Sequence, residues 1–114
     1  MTNEKTQKTI AKVIKQTKDG KLNWKRLSPN DFNIFLYDVV DYESVNYIES
    51  FKCTYGDGFI YLIYELTYIL YIQPGVDKTL TPLDVPQSKL AQLRNIIRDN
   101  IDNIDSFVDS LLKE

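Results

Sequence analysis

The chain has 114 residues, 43% hydrophobic and 12% aromatic, with a formal charge of −2: enough apolar material for one globular core, and too short for two. It holds no histidine and one cysteine. Ser-His and Cys-His nucleophile activation, imidazole metal ligation and an internal disulfide are therefore excluded within this chain, and no cofactor is expected.

Residues 4–18 read as a helix with two unlike faces. Ile10, Val13 and Ile14, extended by Thr6 and Thr17, line one side, and Lys5, Lys8, Lys12 and Lys15 recur on the other at intervals of three and four. Asn3 is the expected N-cap and Gly20 the residue that stops the helix. The first residues, M-T-N-E-K-T-Q-K, contain no apolar run, so a cytoplasmic protein is expected.

Next comes L27-S-P-N-D-F32, a helix start with Ser28 as N-cap, Pro29 in the first turn, Asp31 as the reciprocal capping carboxylate and Leu27 with Phe32 as the hydrophobic staple. It predicts a short helix over residues 29–40, although Phe, Ile, Tyr and Val in that stretch also suit an edge strand. Residues 44–55 alternate like a strand and end at the turn G56-D57-G58, which lacks the glycine spacing of a phosphate cradle. Cys53 reads as a small buried strand residue.

The run from 59 to 72 is too short for a membrane span: it has 14 residues, interrupted by Glu65, where about 20 are needed. It is long for one strand: Glu65 and Thr67 mark either the outer face of one long bent strand or a reversal between two shorter ones, and length favours the reversal. Ile60, Leu62, Tyr64, Leu66, Tyr68, Leu70 and Ile72 form an unbroken apolar set and are assigned to the core. The alternate positions Phe59, Tyr61, Ile63, Ile69 and Tyr71 are interrupted by Glu65 and Thr67. An apolar face of that kind needs a cover: the first helix, Trp24, a second subunit or a partner.

After a proline-spaced loop through Pro82, Asp84, Pro86 and Gln87 mark a second helix start. Leu90, Leu93, Ile97, Ile101, Ile104, Val108 and Leu111 then form one stripe, with Asn100 on its flank as a kink or a buried hydrogen bond. Asp99, Asp102 and Asp105 share a side that can bind an oxygen-liganded cation but reads first as a solvated face. The sum is a single α+β domain, residues 1–114: an antiparallel β-meander sheet packed with an N-terminal amphipathic helix and a long C-terminal helix.

The segment T17-K-D-G-K-L-N-W24, with tyrosine-rich strands and a long last helix behind it, resembles small uncharacterised proteins of low-GC Gram-positive bacteria and their mobile elements. The resemblance implies a bacterial cytosolic origin and transfers no catalytic residue.

Charge is uneven: residues 1–26 carry +6 and residues 27–114 carry −8. Two functions are compatible with these features. One is a non-enzymatic protein–protein interaction module of inhibitor, immunity or accessory type, docking a partner or a second copy (a homodimer) through Phe59, Tyr61, Ile63, Ile69 and Tyr71 or through an acidic helix face. The alternative is a phosphate or nucleic-acid binder using Lys5, Lys8, Lys12, Lys15 and Arg26. The acidic remainder disfavours nucleic acid, and no membrane partner is expected.

Overall fold

In the computed structural model, which describes residues 4–113 with only the backbone for Ile104 and Asp105, helix α1 spans Glu4–Lys18. Its buried residues are Ile10, Val13, Ile14 and Thr17, the face the periodicity assigns inward. Gly20, at φ +74°, ends the helix in the left-handed conformation that glycine adopts without a Cβ penalty. The N-cap expected at Asn3 lies outside the described residues.

Five antiparallel strands follow, each paired with its sequence neighbour: β1 (Trp24–Arg26), β2 (Phe51–Tyr55), β3 (Gly58–Tyr64), β4 (Tyr68–Gln73) and β5 (Thr81–Leu83). This is the expected meander and the fold is α+β. The β2–β3 hairpin turns on Gly56-Asp57, where Gly56 alone takes a positive φ of +57°, the pattern of a type II′ turn. A Cβ at Gly58 would collide with the Gln73 carbonyl oxygen and with Pro74, so only glycine lets β3 start so close to β4.

The chain does reverse at Glu65, Leu66 and Thr67, and the register Tyr64↔Tyr68, Leu62↔Leu70 and Ile60↔Ile72 keeps the even-numbered residues on one face across the turn. That face packs against α1 and α3 (Gln87–Lys113) in a cluster that includes Phe51, Leu62, Leu70, Leu90, Leu93 and Ile97. Leu66, expected in the core set, sits instead at the hairpin tip, 91% exposed.

The opposite face is also covered. Leu27, Leu36, Val40 and Val45, with Phe32, Phe35 and Tyr47 at the margin, close over Tyr61, Ile63 and Tyr71. Neither the first helix nor Trp24 is the cover: it is the segment between β1 and β2. The sheet is the middle layer of three.

That covering segment differs from its sequence reading. Ser28 and Asp31 do form the capping box, Ser28 N–H donating to Asp31 Oδ2 at 2.8 Å, but the helix it starts is a single 3₁₀ turn, Pro29–Asp31. Asn33 then accepts from the N–H groups of Phe35 and Leu36 and begins a separate short helix, α2 (Ile34–Tyr37). In the same way Asn46 caps a 3₁₀ turn at Tyr47–Glu49, so the strand expected from residue 44 starts only at Phe51. Local asparagine side chains outcompete the longer ladders by satisfying the backbone at once.

Gln87, expected at the start of this helix, also reaches the sheet. Its amide lies along β4, accepting from Tyr68 N–H at 3.0 Å and donating to Tyr68 C=O at 2.7 Å, so that the first turn of α3 is stitched to the sheet as a further strand would be.

Candidate interaction surfaces

Sequence reasoning names one apolar docking face, and the fold withdraws it. Tyr61, Ile63 and Tyr71 are buried, Tyr61 completely, and Phe59 is partly buried. Ile69, at 36%, is the most exposed of the five. The Tyr61 hydroxyl donates to Gln73 Oε1 at 3.2 Å, and burial pushes that phenol up to about 12. Gln73 Nε2 donates onward to the Lys78 carbonyl at 2.8 Å, which satisfies a fully enclosed amide. These tyrosines are interior groups and offer no contact to a partner.

The lysines of the alternative reading stand in solvent on α1. Lys8 pairs with Glu4 at 3.1 Å and Lys15 with Asp19 at 3.2 Å, each one helical turn away, while Lys5 and Lys12 make no ion pair among the described residues. Arg26 belongs to another element, opposite Phe51 on the edge strand β1. The row of four lysines is thus half neutralised by its own helix.

Carboxylates inside the fold serve as ties. Glu49 accepts from Arg94 Nη1 at 3.2 Å, Arg98 Nη1 at 3.1 Å and the Tyr68 hydroxyl at 2.9 Å, fastening the covering segment to α3 and β4. Burial, the hydrogen bond to Glu49 and its charge together push the Tyr68 phenol up to about 12. Among the described residues no group of three or more His, Cys, Asp or Glu side chains is placed to hold a metal. No described helix is long and apolar enough to cross a membrane.

Among the described residues two clusters of exposed apolar side chains remain. The first is a ring cluster on the outside of the covering segment: Phe32 touches Tyr37, Tyr42 and Tyr47 at centroid distances of 5.1, 5.2 and 6.2 Å. Tyr37 and Tyr42 are 55% and 37% exposed. Rings this close pack on one another and leave no cavity for a cation between them. Burial, then the neighbouring Tyr42, Tyr37 and Asp41, raise the Tyr47 phenol above its ordinary value.

The second is the end of α3. Leu90, Leu93 and Ile97 are buried and Ile101 is partly buried, but Val108 and Leu111 of the same stripe are 44% and 56% exposed. Phe107 and Leu112 beside them are 65% and 80% exposed, and every residue from 106 to 113 faces solvent. Val108 and Leu111 of the predicted stripe therefore stand outside the core, because the body beneath the helix does not reach them. The side chains of Ile104 and Asp105 lie outside the described residues. A helix of 27 residues is about 40 Å long, and the molecule measures 50 × 30 × 28 Å, so α3 sets the long axis and overhangs the body.

Phe107 and Leu112 went unmarked in the sequence because they lie off the narrow stripe. The available signal is adjacency: Phe107-Val108 and Leu111-Leu112 form two apolar pairs one turn apart, which widen the apolar face beyond the stripe. Asp99, Asp102 and Asp109 are exposed on the other side of the same helix.

Comparison of the chain with protein-family models, with curated proteins and with solved structures finds no match.

Proposed function

We propose that the protein is a small, non-enzymatic protein–protein interaction module whose docking element is the overhanging end of α3. The observation that carries this reading is the exposure of Phe107, Val108, Leu111 and Leu112 in continuation of a stripe that is core in the first half of the helix. Four large apolar side chains on two helical turns are costly to leave in water, and an amphipathic helix end laid into a groove is a recurrent mode of partner recognition. The aspartates on the opposite side keep the element soluble and restrict what it can approach.

An inhibitor, immunity or accessory role fits such a module, since each works by occupying another protein's surface. Catalysis has weaker support: the chain lacks histidine, and its enclosed ionisable groups are committed to holding layers together.

The test is capture. The immobilised chain, incubated with lysate of the cell that makes it, is expected to retain a partner that a Phe107→Ser/Leu112→Ser variant does not, while unfolding of the variant stays within the roughly ±0.5 kcal/mol of a surface change. Equal retention by both chains would remove α3 as the docking element.

A further inference from the structure

The spacing of the α3 stripe says what shape its exposed end receives. From Ile97 the stripe runs Ile97, Ile101, Ile104, Val108 and Leu111, at intervals of four, three, four and three. That is a seven-residue repeat, the seam along which one helix packs a second helix knobs into holes, and Phe107 and Leu112 widen it on its two flanks. At 100° per residue Asp99, Asp102 and Asp109 are turned to the far side, where they do not oppose a helix laid on the seam.

The body dictates the direction of that second helix. Leu90, Leu93 and Ile97 turn this same face inward, so a helix on the exposed end lies in line with the body itself. A copy running parallel would drive its own residues 87–100 into that body. One running antiparallel ends where the body begins. There its end meets a notch of about 470 Å³, lined by Gly20, Leu22, Asn23, Trp24, Ile101 and Asn103 with two further residues of α3. A helix C-terminus brings carbonyls that lack intrahelical donors, and a partial negative charge. The notch answers with the amides of Asn23 and Asn103 and with Lys18 and Lys21, which are exposed beside Gly20 and Leu22. Among the described residues none of these four side chains has a hydrogen bond or an ion pair.

Resting on the reading of the α3 end as a docking element, we propose that it pairs, antiparallel, with the same element of a second copy, each helix end entering the notch of the other chain. What selects a second copy is that the seam, reversed, is its own complement. Position 101 falls level with position 111 of the other copy, and position 104 with position 108, so every layer joins two apolar residues. The two free lengths are equal, and each covers the other about one two-fold axis. The residues after Leu111 then run past the level of Ile101, which the notch leaves open to them.

The seam is short, so sedimentation equilibrium from about 5 to about 500 micromolar is expected to show the mass climb from 13.3 kDa toward twice that value. Val108→Ser/Leu111→Ser should stay at 13.3 kDa with unchanged circular dichroism. Single cysteines decide the geometry, since Cys53 is buried. In the antiparallel pair position 107 is offset from its own copy by about 3 Å along the axis and position 111 by about 15 Å, whereas a disulfide needs Cα atoms closer than about 7 Å. Phe107→Cys should therefore cross-link in a glutathione redox buffer, and neither Leu111→Cys nor Ser106→Cys, on the far side of the helix, should do so. Leu111→Cys or Ser106→Cys linking as fast as Phe107→Cys overturns the arrangement. Lys18→Glu/Lys21→Glu should weaken the dimer several-fold at 50 mM salt, and an unchanged dissociation constant overturns the notch as the receiver of the helix end. A wild-type chain that holds 13.3 kDa at the highest concentration overturns self-pairing altogether. Partner capture lost on Phe107→Ser/Leu112→Ser, in a chain that is monomeric throughout, would leave the broader docking function standing while this occupant falls.

Discussion

Asn100 and Thr17 are 83 residues apart in sequence, and the side-chain amide of the first donates to the main-chain carbonyl of the second at 2.9 Å. The acceptor is one of the last carbonyls of α1; it also accepts from Gly20 N–H at 3.2 Å, and Asn100 supplies the shorter of its two bonds. Thr17 is shared further: its hydroxyl donates to Val13 C=O at 2.7 Å and accepts from Trp24 Nε1–H at 3.0 Å. The spacing T-x-x-G-x-x-x-W therefore has a mechanical meaning. Thr17 is the junction, Gly20 turns the chain, and Trp24 returns on β1 to reach the junction.

Asn100→Ala should cost about 0.5–1.5 kcal/mol in urea unfolding, the net worth of one hydrogen bond to a part-buried carbonyl that keeps Gly20 N–H as its other donor. Asn100→Leu is expected to cost at least as much, since it brings apolar bulk to the same acceptor. A neutral Asn100→Ala would mean that water takes over the bond.

The two halves of α3 should respond differently to truncation. Leu93→Ala and Ile97→Ala, at fully enclosed positions, are expected to cost about 2–5 kcal/mol. Leu112→Ala, 80% exposed, should stay within about 0.5 kcal/mol. Ile101→Ala should fall between them. Chemical denaturation of the four variants checks the gradient, which a continuous core would flatten.

Asp31 gives the protein an acid-sensitive tie. Burial pushes its carboxyl up, but the Ser28 N–H and the charges of Lys52 and Lys25 outweigh it and hold the group below 3.8. A carboxylate depressed in the folded state contributes its full stability above the unfolded value and loses it as pH falls through the folded one. The advantage of wild type over Asp31→Asn should accordingly be constant near neutrality and shrink below pH 3.8. Paired urea titrations between pH 7 and pH 2 measure it, and a difference that grows on acidification would contradict the assignment.

Cys53 should be inert. It is buried on the helix-covered face, and that burial pushes the thiol up to about 12, against a weaker downward pull from the Ile60 backbone hydrogen bond. Thiolate is then scarce at pH 8, so an aromatic disulfide reagent should react slowly with native protein and at once in denaturant. Fast native labelling would show that the sheet opens locally.

Much of the fold can be read from local chemistry: the Ser28–Asp31 box, the Gly20 stop, the Gly56 turn and the buried face of α1 all depend on near neighbours. The errors arise where tertiary context decides. Glu65 and Thr67 make the odd positions of 59–72 look half solvated, yet they are the hairpin turn itself, and with them removed the remaining odd positions are as apolar as the even ones. The cover over those positions is hard to foresee because residues 27–50 carry no sustained period; Asn33 and Asn46 break them into single turns. Periodicity gives the α3 stripe but holds no information on where the body beneath it stops.

A sheet enclosed on both sides should also leave a trace in tolerance to substitution. In a one-sided sheet, a scan replacing each residue by lysine gives an alternating record, every second position permissive. Along β3, Ile60, Tyr61, Leu62 and Ile63 should all reject the charge, and along β4 so should Tyr68, Leu70 and Tyr71, with Ile69 the one shallow dip between them. The chain can then drift at its turns and along the outer face of α1, while its two central strands have little room to vary in either direction from the sheet plane.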